Sequence, residues 1–332
     1  MGKTMVKSNR TQIDQLIGFL NTWNVPSDFS ARLQPAIQAD QETALLAFFW
    51  AAAICHSTKG GLLAIKNGQA IKGFDVLLEA FTRAANTTPR EIQLDRFERI
   101  QGPELKAFLE NHLDQAVITL PDLDRRAEIL RTLVQELKTH FDGQLSTLFE
   151  QTGGRLAGDH GFYALMRKFS IFQDEQAKKS SVFLHCLGQA ERWQPIDPDN
   201  ALPMVDYHII RLFCRTGCLE IEDQTLAEKL RTKQEVTVEE EQAIRDMARD
   251  IRVLISRELT SPLRGELLYY FARSYCRNRP VCVPGNLPES HSFNHVTNTN
   301  FTGSCPLQNW CHGCRDTSYR DFWEPLIQTE NY

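Results

Sequence analysis

Apolar residues recur three and four positions apart along most of the chain, in IDQLIGFLNTW (13–23), ETALLAFFWAAAI (42–54), FDVLLEAFTRAA (74–85), ELKAFLENHL (104–113), RAEILRTLVQELKTHF (126–141) and AIRDMARDIRVLISREL (243–259). That spacing lines one face of a helix with 3.6 residues per turn, so each stretch predicts a helix with its stripe turned to a core. Strand signals are few. In LLAIKNGQAIKG (62–73) an Asn-Gly pair separates two short apolar runs, which predicts one tight hairpin on an otherwise helical body. Breaks fall at TTPRE, LPDLD, QTGGRLAGDHG, QPIDPDNALP and TSPLRG, all short, so no flexible linker opens before about residue 283. The segment 283–304 is different: polar, rich in Asn, Pro and Ser, and without periodicity, so something other than a core has to hold it.

A chain of 332 residues is long enough for one large domain or two packed ones. Its formal charge of −5 argues against a surface built mainly to grip phosphate backbones, so duplex nucleic acid is not the default partner. No stretch approaches the apolar length of a membrane span, and MGKTMVKSNR leads into an amphipathic segment; a cytoplasmic monomer without a membrane partner is expected.

The nine cysteines are unevenly spread: Cys55, Cys186, Cys214 and Cys218 lie among apolar neighbours, while Cys276, Cys282, Cys305, Cys311 and Cys314 crowd the C-terminal region. An odd total without a signal peptide favours buried thiols plus a metal site over a disulfide framework. CRNRPVC (276–282) and CPLQNWC (305–311) form two Cys-x5-Cys pairs, with Cys314 three positions further on. Four thiolates suit either a tetrahedral zinc or a 4Fe–4S cluster, and the short Cys311–Cys314 knuckle is of the kind zinc uses.

LPMVDYHIIRLFCRTG (202–217) feeds one acid, Asp206, into the first turn of an apolar helix. The ordinary role of such an acid is to cap the first amides. A carboxylate fixed at a loop–helix junction also suits cleavage of a base from a sugar: positive charge builds on the anomeric carbon, and the carboxylate opposes it and activates water. Upstream, DEQAKKSSVFL (174–184) places Lys178 and Lys179 28 and 27 residues before Asp206, as a nucleophile, as phosphate ligands or as solvated surface. Substrate contacts are expected from Trp50 and His56 in FFWAAAICHS, Phe162 in GDHGFYALMRKF, Asp174, and Tyr207, His208 and Arg211 beside Asp206. Rings sandwich a base, polar groups read its edge and a guanidinium holds a phosphate, although the same residue types also fill cores and pair with acids.

The cysteine pairs resemble the two halves of the cluster loop of iron–sulfur DNA glycosylases related to endonuclease III and MutY. This chain departs from that loop by 22 residues between the halves and by a fifth cysteine. VDYHIIRLFCRTG resembles the segment after the helix-hairpin-helix in the same superfamily, whose catalytic carboxylate maps onto Asp206 and whose bifunctional members carry a Schiff-base lysine upstream, matching Lys178 or Lys179. The glycine-rich hairpin that those enzymes use on duplex DNA has no counterpart before Asp206.

A second resemblance covers about residues 45–275. NGQAIKGFDVLLEAFTRA, RFERIQGPELKAFL, DRRAEILRTLVQELKTHFDGQLSTLFEQTGG, KKSSVFL, VDYHIIRLFCRTGCLEI, VTVEEEQAIRDMARDIRVLI and LLYYFARSY are similar, in order and spacing, to segments of the queuosine salvage proteins. That family's Ala-Asp-Tyr-Arg motif matches Asp206 and Tyr207, with His208 in place of the Arg. Both resemblances imply a mostly α, DNA-glycosylase-like fold with at most one short hairpin. They imply a helical domain over 1–275, built as two lobes around an active site; the metal-binding tail over 276–332 is implied by the iron–sulfur glycosylase resemblance alone and has no counterpart in the queuosine salvage proteins. The implied activity is hydrolysis of the N-glycosidic bond of a 7-deazaguanine-type nucleoside or nucleotide. The alternatives are a DNA glycosylase with a 4Fe–4S cluster, for which nucleic acid is the partner, and a non-catalytic nucleotide-binding protein with a structural metal such as zinc.

Overall fold

In the computed structural model, which describes residues 5–23, 25, 36–58, 60–277, 280–283, 285–286 and 305–327, helices carry most of the chain and the strands are short. Most of the polar segment 283–304 lies outside the described residues. The chain divides into two compact units, one spanning Gln34–Leu202 and the other joining Met1–Leu33 to Pro203–Gln328. The five cysteines from Cys276 to Cys314 belong to the second unit.

The Gln34–Leu202 unit is organised by the helix Gln41–Ala53. Every residue from Thr43 to Ala53 is buried, so this helix has no solvent face and runs through the interior. Asp40 starts it by accepting from the Thr43 amide at 3.0 Å. Glu42 reaches outward, its two oxygens accepting from the amides of Leu145 and Ser146 at 2.6 and 2.9 Å, and so caps a second helix, Leu145–Gln151. Trp50 is fully buried; its indole donates to the Ile92 carbonyl at 2.9 Å and its ring meets Phe97 edge-on at 5.3 Å. Phe48 and Phe49 are equally buried, and Phe49 stacks on Phe172 at 5.2 Å.

The expected hairpin is present as strands Leu62–Lys66 and Gln69–Lys72, turned through Asn67 and Gly68, both at positive φ (52° and 76°). Two left-handed residues in succession are what a primed two-residue turn demands, and Asn-Gly supplies them at least cost. The sheet exceeds the expectation of a lone hairpin. Asp114–Ile118 pairs antiparallel with the first strand, and a second, two-stranded sheet joins Val6–Ser8 to Leu219–Ile221. These added strands are three to five residues long and only partly buried, too short and too exposed to imprint an alternation on the sequence.

The other unit packs Arg10–Thr22, Tyr207–Thr216, Gln224–Thr232, Val238–Glu258 and Pro262–Ser274 around a shared apolar interior. Thr237 and Glu240 close a reciprocal capping box on Val238–Glu258 at 3.2 and 2.8 Å. Beyond the cysteines, the chain returns to this unit: Trp323 N–H donates to Leu230 at 3.2 Å, Val236 N–H to Leu326 at 3.1 Å, and Lys233 sits 3.6 Å over the Trp323 ring.

Truncating Trp50 to alanine removes a filled volume and leaves the Ile92 carbonyl without its donor. Trp50→Ala is expected to lower the free energy of unfolding by about 3–5 kcal/mol in urea titrations. A stable variant that had lost only substrate affinity would instead place this ring at a binding surface.

Candidate active site

The residues singled out by sequence fall in both units.

Asp206 is the N-cap of the helix Tyr207–Thr216. Its backbone is extended (φ −117°, ψ 179°) and its Oδ1 accepts from the amides of His208 and Ile209 at 2.9 and 3.1 Å. The capping role is therefore real, and it holds the carboxylate in one orientation at the end of a helix where negative charge is favoured. Proline at 203 and valine at 205, the latter buried, bring the chain in extended form up to that cap. At the other end Gly217, at φ 82°, terminates the helix in the left-handed region.

Of the three residues expected beside Asp206, His208 and Arg211 are buried and linked, and Tyr207 is half-buried. His208 Nδ1 accepts from Arg211 Nη2 at 2.8 Å, and Arg211 also donates to Glu324 at 2.5 Å and to the Cys276 carbonyl at 2.8 Å. Arg211 is only 1% exposed, so its guanidinium is committed to protein partners. With Nδ1 accepting, the neutral His208 ring carries its proton on Nε2. Tyr207 lies against His208, ring centroids 4.1 Å apart, and burial, reinforced by the Asp206 charge, pushes its phenol up to about 12. Tyr207 is thus a neutral hydrogen-bonding group, not a base, near neutral pH.

In the Gln34–Leu202 unit, Lys178 and Lys179 open the helix Lys178–Gln189. Asp174 prepares that start: Oδ1 accepts from the Gln176 amide at 3.1 Å and Oδ2 from the Lys178 amide at 2.6 Å, with Ala177 between them in the left-handed region (φ 51°). The two lysines part company at this point. Lys178 is half-buried, whereas Lys179 is 1% exposed and its Nζ donates to the Ala53 carbonyl at 2.6 Å and reaches His56 Nδ1 at 3.4 Å. The expected pair is therefore one interior lysine and one neighbour nearer the surface.

His56 and Lys179, chosen separately from the sequence, are brought together. Because Nδ1 faces the Lys179 ammonium, the His56 proton sits on Nε2 and is donated to Asp122 at 3.2 Å. Burial, with the charges of Arg126 and Lys179 next in weight, holds the imidazole down at about 2. It stays neutral at working pH and acts as an acceptor that positions Lys179, not as a proton donor. Asp122 and Arg126 complete this network and were not singled out by sequence. Arg126, fully buried, donates to Asp122 at 2.9 Å and to the carbonyls of Ile54 and His56. The LPDLD break marked a turn but not that its first acid would reach across 66 residues to an imidazole.

Phe162 lies in the core of the same unit, fully buried among Phe149 and Trp193 at 6.0 and 5.7 Å. Its neighbour Tyr163 accepts from the Leu202 amide at 2.8 Å.

The match to a family model decides the family. A model described as queuosine salvage protein aligns with residues 48–260. The chain belongs to the queuosine salvage protein family. No curated protein matches the chain. The family match spans Trp50, His56, Phe162, Asp174, both lysines and the Asp206 segment, and ends before the five C-terminal cysteines. A role in queuosine salvage follows from the family. Among the described residues no helix is long and apolar enough to cross a membrane.

The His56 shift has a consequence for stability. Its folded value lies below the ordinary value of 6.5, so between about 2 and 6.5 the unfolded chain binds a proton that the folded chain refuses, and stability falls as pH drops below 6.5. From pH 7.5 to 5.5 this group alone accounts for about 1.4 kcal/mol. Urea unfolding at both values is expected to show that much extra acid sensitivity in the wild type over His56→Gln; equal sensitivity would mean that the imidazole titrates normally in the fold.

Proposed function

We propose that this queuosine salvage family member hydrolyses the N-glycosidic bond of a 7-deazaguanine-type nucleoside or nucleotide of the queuosine class, with Asp206 as its catalytic carboxylate. The observation that carries the reading is the fixing of Asp206 by two amide donors at a helix N-terminus, inside the segment matched by the family. In the reaction the C1′–N bond breaks and its electron pair leaves with the base. The anomeric carbon develops oxocarbenium character, which the Asp206 charge stabilises. Water then adds to C1′, passing its proton to Asp206, and the departing nitrogen takes up a proton, so that one water is consumed for each bond cleaved. A 7-deazapurine has carbon where a purine has N7, so protonation at that position cannot activate the leaving group. Stabilising the cation therefore carries more of the barrier, and an acid held in one orientation suits that demand.

Lys179 serves in this reading as a fixed interior cation, oriented by Ala53 and His56, that favours a phosphate or the departing base without forming a covalent bond. Lys178 stands beside it as a second phosphate ligand. The DNA glycosylase reading and membership of the helix-hairpin-helix superfamily rest on the resemblance of the Asp206 segment and the cysteine pairs.

Incubation with queuosine 5′-phosphate and, in parallel, with lesion-bearing duplexes separates the substrates when released base is followed by mass spectrometry. Release from the free nucleotide is expected; release from duplex alone would transfer the activity to DNA. Asp206→Asn keeps an oxygen for the helix amides but loses the charge. It is expected to fold normally, to bind substrate and to release base at least about a hundredfold more slowly. Near-native turnover would leave Asp206 as a cap and nothing more.

Borohydride added during turnover is expected to trap no protein–sugar adduct. A trapped adduct that vanishes in Lys179→Ala or Lys178→Ala would establish a Schiff-base mechanism instead.

A further inference from the structure

Five cysteines, Cys276, Cys282, Cys305, Cys311 and Cys314, line one recess in the unit that contains Pro203–Gln328, together with the cations Arg215 and Arg320. None of the five is in a disulfide. The turns that present them are tight: the Val283 amide donates to Pro280 at 3.1 Å around Cys282, Gln308 to Cys305 at 3.0 Å, and Cys314 to Cys311 at 3.2 Å. These turns bring the Cys314 thiol within hydrogen-bonding reach of the thiols of Cys282, Cys305 and Cys311. Cys276 lines the same recess but is engaged by arginines. Its sulfur lies 3.8 Å from Arg215 Nη1, and its carbonyl is held by Arg211 and Arg215 at 2.8 and 3.3 Å.

Thiols are weak hydrogen-bond donors and acceptors, so four of them crowded together satisfy one another poorly, and as thiolates they repel. A soft cation is the partner that satisfies all four, and two arginines are at hand to balance the surplus negative charge. A tetrahedral ion with metal–sulfur bonds of about 2.3 Å sets its sulfurs roughly 3.8 Å apart, the scale of thiols in mutual contact. Among the described residues no group of three or more His, Cys, Asp or Glu side chains is arranged to hold a metal ion. Cys314 lies within reach of the other three, so loading requires these thiols to exchange their mutual contacts for the ion.

The recess is also built against the Asp206 helix. Arg215 of that helix donates to the Arg277 carbonyl at 2.7 Å as well as to Cys276, and a Cβ at Gly313 would meet the Arg215 carbonyl at 3.0 Å. At the helix terminus, a side chain on Gly217 would run into the His312 ring. Glycine at 217 and 313 thus lets the cysteine turn seat directly on the helix.

We propose that Cys282, Cys305, Cys311 and Cys314 form a four-thiolate metal centre, with Cys276 outside it, and that this centre holds in place the helix whose first turn carries Asp206. The metal is thiophilic, either a single tetrahedral ion of the zinc type or an iron–sulfur cluster; both take four thiolates. The centre lies beyond the residues matched by the family model and does not depend on which glycoside is cleaved.

The full chain purified anaerobically is expected to contain about one zinc, or about four iron with a broad absorption band near 400 nm, per molecule. Elemental analysis together with the spectrum separates the two. Metal-free protein with all its thiols free overturns the proposal, whatever the variants do. Cys282→Ser and Cys305→Ser are expected to lower the metal content at least about tenfold, while Cys276→Ser retains it. Loss in Cys276→Ser equal to that in Cys305→Ser overturns the ligand assignment. Stripping the metal from the wild type is expected to speed amide exchange at least about tenfold across Tyr207–Thr216. Unchanged exchange there overturns the role in seating the helix.

Discussion

Two guanidinium groups buried on a single helix turn set the terms for the unit that contains Asp206. Arg211 and Arg215 are 1% and 3% exposed, and a charge in that position costs several kcal/mol unless it is paired and fully hydrogen-bonded. Their partners are the carboxylate of Glu324, the His208 imidazole and the carbonyls of Cys276, Arg277 and Phe322. Apart from His208, all lie more than sixty residues further along the chain. The helix can therefore settle only when the cysteine-bearing segment has folded back on it, and the orientation of Asp206 depends on residues that take no part in its cap.

The Gln34–Leu202 unit solves a similar problem with different chemistry. Arg126 occupies the end of the buried Gln41–Ala53 helix, where it satisfies the carbonyls of Ile54 and His56, and Asp122 supplies the counter-charge. The Ile54 carbonyl is that of the helix C-cap, where the backbone dipoles favour a cation, and the His56 carbonyl lies just beyond it. His56 stays neutral within this cationic surrounding, and a neutral imidazole is the form that accepts from Lys179. A positive interior group at Lys179 is tolerable because Ala53 and His56 both offer it acceptors.

Features whose cause is local were legible in the chain. The helices follow from apolar spacing, the hairpin turn from Asn67 and Gly68, and the Asp206 cap from an acid at a loop–helix junction whose acceptors lie two and three residues away. The crowding of five cysteines at the C-terminal end was also visible, because Cys-x5-Cys and Cys-x2-Cys spacings are short-range marks, but spacing did not show that all five line one recess. Site residues were harder to sort. Trp50 and Phe162 carry the ring that a base needs and the ring that a core needs, and composition cannot separate the two; burial on all sides does.

The sequence by itself determined that this is a mostly helical protein, which stretches carry its longest helices, and which acid stands at the mouth of the Tyr207–Thr216 helix, since each of these is settled within a few residues by periodicity and backbone hydrogen bonding. Only the tertiary structure decided that Lys179 is interior while Lys178 is not, that His56 faces it, that Arg211 serves Glu324 and Cys276, and that Arg215 shares the Cys276 carbonyl. Those outcomes rest on contacts across 61 to 126 residues in the chain, where nothing repeats and no neighbour in sequence takes part, so only the packed fold could select them.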